Sequence, residues 1–227
     1  ELASSDVIDL NLGTVWNNWN DTWTGSPQEV NRKTVGRTTT IETLEIKIAM
    51  HSEFTVESKS LKLYLASFYN KKFNNAASAH KLIEKDLSKL LNSPVSVKKL
   101  NRFNASPKST SIEKFNNKVP KNKVVNFQGF RSICPVTSQP DWGNIYLHST
   151  SHSMDSTKLI KFLKSYRNRG DFHEACIESI FVTVLEDFVV NDLTVYGKFL
   201  RRGGIDINPI RSTSKKLLFN NFRDFNQ

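Results

Sequence analysis

Cysteine is scarce in this chain of 227 residues, and the scarcity excludes several classes at once. Cys134 and Cys176 are the only two, too few and too far apart for a disulfide framework or a zinc knuckle, which points to a reducing setting. No apolar run approaches the ~18 residues that a bilayer-spanning helix needs. The first residues do not follow the charged-then-apolar order of a secretory leader. No Gly-x-Gly-x-x-Gly follows a strand pattern, so nothing supports a dinucleotide site of the doubly wound kind. His148 and His152 are four apart but lie in a Ser-rich stretch rather than on a helix, a poor start for a metal site. Disorder is excluded from the other side: hydrophobic residues make up 38% and aromatics 11%, with fifteen Phe and four Trp, enough to build a core.

What is plentiful is positive charge, with a formal net of +10. A basic surface attracts polyanions and phosphorylated cofactors, so a nucleic-acid-binding module is one reading of the chain. The distribution argues for a plainer one. Arg102, Lys108, Lys114, Lys118, Lys121 and Lys123 face a single acid, Glu113, in a polar stretch that also holds Pro107 and Pro120. This stretch, residues 101–128, reads as a solvated basic linker.

Two similar halves flank it, residues 1–100 and 129–227. Ser67-Phe-Tyr-Asn70 followed by Phe73 is answered by Ser165-Tyr-Arg-Asn168 followed by Phe172, one residue longer in the second copy. Leu61 to Phe68 and Leu159 to Tyr166 each read as a short amphipathic helix, and Ala79 to Leu91 and Phe172 to Leu185 as longer ones. Strand patterns follow at Val95 to Leu100 and Leu193 to Leu200. Others precede, carried by Leu44, Ile46 and Ile48 and by Ile145 and Leu147. Strand, helix pair, strand, stated twice, predicts an α+β chain of two modules with antiparallel sheets and helices on one face. The halves differ in their polar residues: Glu57-Ser-Lys-Ser60 opens the first helix of one, and His173-Glu174 the second helix of the other. Each half has kept different groups, which suggests one composite site.

Cys134 lies in Arg131-Ser-Ile-Cys-Pro-Val-Thr-Ser-Gln-Pro-Asp-Trp142, a loop or irregular turn before the Ile145 strand. Free cysteines are commonly inert core residues, and Cys176, on the apolar stripe of its helix, fits that description. A loop thiol near Arg131, with amides available from Val136 and Thr137, is better placed for a lowered pKa, and Asp141 is near enough in sequence to deliver a proton. His173 and Glu174 follow Asp171, a candidate N-cap; they read either as a solvated first turn or as a proton donor and a hydrogen-bond acceptor. In Arg201-Arg-Gly-Gly204 the glycines permit close backbone approach and the arginines suit phosphate.

Taken in order, Glu57-Ser-Lys-Ser-Leu-Lys-Leu-Tyr64, Cys134-Pro-Val-Thr-Ser-Gln-Pro-Asp-Trp142, Phe172-His-Glu174 and Arg201-Arg-Gly-Gly-Ile-Asp-Ile-Asn-Pro209 resemble the NADPH-dependent 7-cyano-7-deazaguanine (preQ0) reductases, the nitrile reductases of queuosine biosynthesis. The resemblance is to the two-module form, in which each half is a tunnelling fold, and covers about residues 53–100 and 129–212; Glu1 to Arg37 shows little of it. It implies a cytoplasmic homodimeric enzyme, not a stable nucleic-acid binder, that takes a small deazapurine substrate. It implies further that Cys134 adds to the nitrile as a covalent thioimide, with Asp141 and His173 supplying protons. Glu57, Glu174 and Phe172 would hold the base. Ser58, Lys59, Arg201, Arg202 and Gly203 would face NADPH, and no metal is required. A relative forming an amidine from the same cysteine, or a tRNA-binding relative without catalysis, are the alternatives.

Overall fold

A computed structural model describes residues 5–17, 39–71, 73–150, 152–214 and 220–227, the backbone alone for 5–17, 39–41 and 69–70. The remainder of the 1–37 stretch lies outside the described residues. Strand β1 is Ser5–Asn17. The chain forms two compact units, one built mainly on Asp9–Asn101, the other on Arg102–Arg202 and Asp206–Gln227.

In the N-terminal unit, β2 (Thr39–Ala49) pairs antiparallel with β3 (Val95–Lys99), Ile46 opposite Val97. Alternation places Leu44, Ile46 and Ile48 on one face, all fully buried or nearly so. Between the strands lie α1 (Ser58–Ala66), a 3-10 turn at Ser67–Asn70 and α2 (Ala76–Leu91). Helix α2 buries Ala79, Ile83, Leu87 and Leu91, a stripe at helical spacing. Ile83, Leu87 and Leu91, removed from water, contribute roughly 1.5–3 kcal/mol each. Asn75 caps the start of α2 by accepting from the Ser78 amide, and Asn92, with φ of 47°, ends it in the left-handed region.

The C-terminal unit repeats the plan. Strands β6 (Lys123–Ile133), β7 (Pro140–Ser149), β9 (Thr194–Phe199) and β10 (Ile205–Ser212) pair antiparallel in the order β10-β9-β7-β6, and the short β4 (Thr110–Ser111) adds in parallel beyond β6. A two-stranded ribbon joins β5 (Lys118–Val119) to β8 (Met154–Asp155). Helix α3 (Ser156–Lys164), a 3-10 turn at Ser165–Asn168 and α4 (His173–Asp187) cover one face. Their Leu159, Leu163, Ile177, Ile180 and Val184 meet Phe130, Ile145, Leu147, Val195 and Phe199 from the sheet in one core. The other face of β7 carries Asn144 and Tyr146, whose amide and hydroxyl both donate to Asp224 of the C-terminal segment, at 2.9 and 2.6 Å.

The α+β class, the antiparallel strands and the helices all appear where the apolar periods placed them. The repeated serine motif becomes the same turn in each unit: Ser67 and Ser165 each cap with a hydroxyl donating to a carbonyl three residues back, at 2.6 Å. Phe68 and Tyr166, the next residues, are both fully buried.

Residues 101–128 differ from the solvated linker that their charge suggests. The C-terminal unit begins at Arg102, and this stretch supplies β4, β5 and the start of β6. Ile112, Val119 and Val125 are fully buried while Lys121 and Lys123 remain outside. Short elements leave no room for a readable period, and lysines on the exposed side mask the few apolar contacts that fix them. Among the described residues no helix is long and apolar enough to cross a membrane.

Candidate active site

A hairpin builds the core of the site. Strands β6 and β7 run together to the pair Ile133–Pro140, and the six residues between them form a closed loop. Its ends are tied by the Cys134 amide donating to the Gln139 carbonyl at 2.8 Å, and by the Ser138 amide donating to the Cys134 carbonyl at 2.9 Å. Ser138 adopts a φ of 57°, the left-handed conformation that lets the chain turn back within so few residues. The loop is therefore shorter than residues 131–142: Arg131 to Ile133 and Pro140 to Trp142 are strand.

At the start of the turn Cys134 is half-buried. Burial works against its ionisation. The Thr137 hydroxyl and the amides of Thr137 and Val136 outweigh that by donating to the sulfur, and the thiol sits below its ordinary value although Asp141 opposes the charge. Arg131 is turned toward other partners. Its guanidinium donates to the Arg167 carbonyl and to Asn168 Oδ1 at 3.2 Å, and lies 5.7 Å from the Trp142 ring, so it braces the 3-10 turn. Cys176 is the expected contrast: fully buried on α4, its thiol is pushed up to about 12 chiefly by burial.

Asp141 follows one residue into β7, with its side chain on the helix-covered face and only 5% exposed. Arg202 Nη2 lies 2.6 Å from Oδ1, and His173 Nε2 lies 3.2 Å from Oδ2. The second is a close approach without hydrogen-bond alignment, since Nε2 is buried with no hydrogen-bond partner. His173 opens α4, and its ring stacks on Phe199 with centroids 4.0 Å apart and planes 17° from parallel. Cys134, Asp141, His173 and Arg202 thus gather in one unit.

The remaining expectations fare unevenly. Phe172, not Asp171, is the N-cap residue of α4, and it caps with no side chain; Asp171 instead pairs with Arg169 at 3.0 Å. Phe172 is 46% exposed, open to a flat partner. Glu174 lies half-buried in the first turn of α4, where the helix dipole favours its charge. Arg202 is engaged with Asp141 and the Pro140 carbonyl rather than held in reserve for a phosphate. Arg201 lies 3.7 Å from Asp206 and donates to the Gln227 carbonyl at 3.3 Å. Gly203 and Gly204, with φ of 59° and 87°, make the left-handed turn that only glycine adopts freely.

In the N-terminal unit, Glu57 caps α1. One oxygen accepts from the Lys59 amide at 2.8 Å, the other from the amide and hydroxyl of Ser60 at 2.7 and 2.8 Å. Partial burial disfavours its charge, but these donors and the Lys59 ammonium prevail, and the carboxyl sits below its ordinary value. Ser58 is the first residue of α1, and Lys59, on the same turn, is exposed. This unit also holds a buried carboxylate on β2, Glu42, which takes His80 of α2 at 2.9 Å and Lys99 of β3 at 2.8 Å. The residue types echo those around Asp141, but the positions do not: His80 is the fifth residue of its helix, whereas His173 is the first. Sequence reasoning passed over Glu42 and Phe199, each of which meets its histidine from a different element.

Two family models match the chain. One, described as the nitrile reductase 7-cyano-7-deazaguanine-reductase N-terminal region, covers residues 6–99; the other, a QueF-like protein model, covers residues 140–217. The first reaches well into the stretch before residue 37 that carried little visible likeness. Over 203 residues the chain is 36% identical to the NADPH-dependent 7-cyano-7-deazaguanine reductase of Coxiella burnetii, spanning 81% of this chain and 73% of that protein. It is 32% identical over 197 residues to the reductase of the same name from Burkholderia cenocepacia, spanning 76% and 71%.

Proposed function

Given that the chain belongs to the NADPH-dependent 7-cyano-7-deazaguanine reductase family, we propose that it reduces the nitrile of 7-cyano-7-deazaguanine to an aminomethyl group, through a thioimide on Cys134. The observation that carries the reading is a thiol of lowered pKa in a closed turn, beside a carboxylate that an arginine holds and a histidine approaches.

The Cys134 thiolate attacks the nitrile carbon, forming a C–S bond as one C–N π bond breaks. Asp141, whose position on β7 is held by Arg202, takes up the proton that leaves the Cys134 thiol and passes it to the nitrogen. The cofactor, when bound, supplies hydride, two equivalents for the four electrons between nitrile and amine. His173 delivers protons to nitrogen during these reductions, and the C–S bond breaks to return the thiolate. Glu174 and Glu57 accept from the N–H edge of the base, Glu57 through the lone pair on Oε1 not used in capping α1, and Phe172 packs on its face.

The exposed Lys59 ammonium, the Ser58 hydroxyl at the start of a helix and the glycine turn at Gly203 have the chemistry to hold a phosphorylated cofactor. Arg201 can add charge there; Arg202 is assigned to the acid instead. We read the two units as tandem tunnelling-fold modules and the protein as a cytoplasmic homodimer serving tRNA modification.

The test is intact mass after mixing the protein with the cyano base, with no cofactor, beside Cys134→Ala. An adduct of the base's mass on the parent alone, discharged by NADPH, is the expected result. Discharge only by an amine would favour amidine formation, and no adduct on folded protein would overturn covalent catalysis and bring the basic binding module forward.

A further inference from the structure

Phe199 is fully buried and uses its ring in an unusual way for a core aromatic. One face lies flat against the His173 imidazole, 4.0 Å away between centroids and 17° from parallel, while Phe130 meets it edge-on at 6.0 Å and 82°. The ring has room to lie this way because two residues beside it have no Cβ. Gly143 stands directly across from Phe199 in the β7–β9 register. A methyl group there would come within 3.1 Å of Phe199 Cδ1 and 2.8 Å of the Lys198 carbonyl oxygen. Gly197, two residues before Phe199 on the same face of β9, would place its Cβ 2.9 Å from Phe199 Cε2 and 2.7 Å from the Ile177 side chain. Both glycines are there for close approach, and together they form a slot that sets the plane of the phenyl ring.

That plane in turn sets the plane of His173. The imidazole is only 12% exposed, yet its Nε2 approaches Asp141 at 3.2 Å without hydrogen-bond alignment. A histidine on a helix's first residue has few neighbours along its own element to fix its rotamer. Stacking fixes the ring here and leaves the buried nitrogen uncommitted, as a group that must pass a proton requires.

We propose that Phe199, seated between Gly143 and Gly197, is the positioning residue for His173, holding its Nε2 toward Asp141 and the reacting nitrogen. The proposal rests on the reading of His173 as a proton donor in the reductive steps. It predicts an effect on those steps and not on adduct formation, which draws its proton from Asp141.

The experiment compares Phe199→Leu, Phe199→Met and Phe199→Tyr with the parent, alone and in a His173→Gln background. In Phe199→Leu and Phe199→Met the cyano base should still form its full adduct, kcat for NADPH oxidation should fall at least tenfold, and KM should hold within twofold. Phe199→Tyr should retain most of the turnover. In His173→Gln, replacing Phe199 should cost nothing further, because the residue through which it acts is gone. Equal losses in the Leu and Tyr variants, or additive losses in the double variants, would overturn the proposal. Phe199→Met keeps side-chain bulk without planarity, so it covers the case in which the leucine variant does not fold. Proton NMR of the His173 ring needs no substrate: the stack should shift its carbon-bound protons upfield in the parent and Phe199→Tyr, and release them in Phe199→Met. Upfield shifts unchanged in Phe199→Met would overturn the positioning whatever the reaction proves to be. A parent that shows the shifts but does not oxidise NADPH would instead count against the reductase reading.

Discussion

Replacing Arg202 with methionine separates two roles for this residue. Its guanidinium lies 2.6 Å from Asp141, whose side chain is only 5% exposed, and at an effective dielectric of about 20 the Coulomb attraction has an upper limit of roughly 6 kcal/mol. Arg202 itself is 39% exposed, so water screens much of that. A charge-assisted hydrogen bond lost in such a setting costs about 1.5–3 kcal/mol, and we take about 2 kcal/mol. At about 1.4 kcal/mol per tenfold, that predicts a ten- to thirtyfold slower formation of the adduct with the cyano base, measured by quenched mass spectrometry in the absence of cofactor. Thermal unfolding should fall by roughly 4–8 °C for a chain of this size. Arg202→Lys should recover part of both. If Arg202 serves only the cofactor, adduct formation will proceed at the parental rate while KM for NADPH rises, and that result would refute the assignment of this arginine to the acid.

Thr137→Val removes a hydroxyl that donates to the Cys134 sulfur, so the thiol pKa should rise toward its ordinary value. Thiolate is present above the folded-state pKa, so alkylation by iodoacetamide should slow at neutral pH and recover as pH is raised; an unchanged profile would remove Thr137 from the account. Thiol titration of the native protein should count one reactive cysteine, and two after denaturation, because burial keeps Cys176 neutral up to about 12. Glu57→Ala should cost about 1 kcal/mol in chemical unfolding through loss of the α1 cap, with Glu57→Gln costing less. A stability unchanged by either would show that the carboxylate has no capping role and leave it wholly to substrate.

The legible parts of the chain are those in which several residues repeat one physical message. The stripe from Ala79 to Leu91 and the alternation at Leu44, Ile46 and Ile48 each contain enough periods to name the element. The repeated serine motif was visible because a tight turn needs the same hydroxyl and the same buried aromatic in both copies. Strand β6 was lost to the eye because its register shifts between Phe127 and Phe130, around Gly129, which breaks the alternation of its apolar residues. In the site, Cys134 and Asp141 could be paired because they share one hairpin. The grip of Arg202 on Asp141 and the stack of Phe199 under His173 could not: both join residues on different elements, and no local pattern encodes which distant strand end will meet which helix start. Arg131 misled for the converse reason, since a neighbour in sequence on a strand points away from the turn it precedes.

The hairpin that carries Cys134 and Asp141 has a consequence for the order in which the site is assembled. Nucleophile and acid are joined by a handful of residues, so their mutual placement needs only a short loop to close, an event of microseconds in an isolated hairpin. His173 and Arg202 arrive from far along the chain and must wait for long-range contacts, which form slowly because more chain entropy is lost in closing them. Closing the hairpin therefore costs less chain entropy than bringing the histidine and the arginine to it. The reactive pair is local in the chain, and the groups that govern it are not.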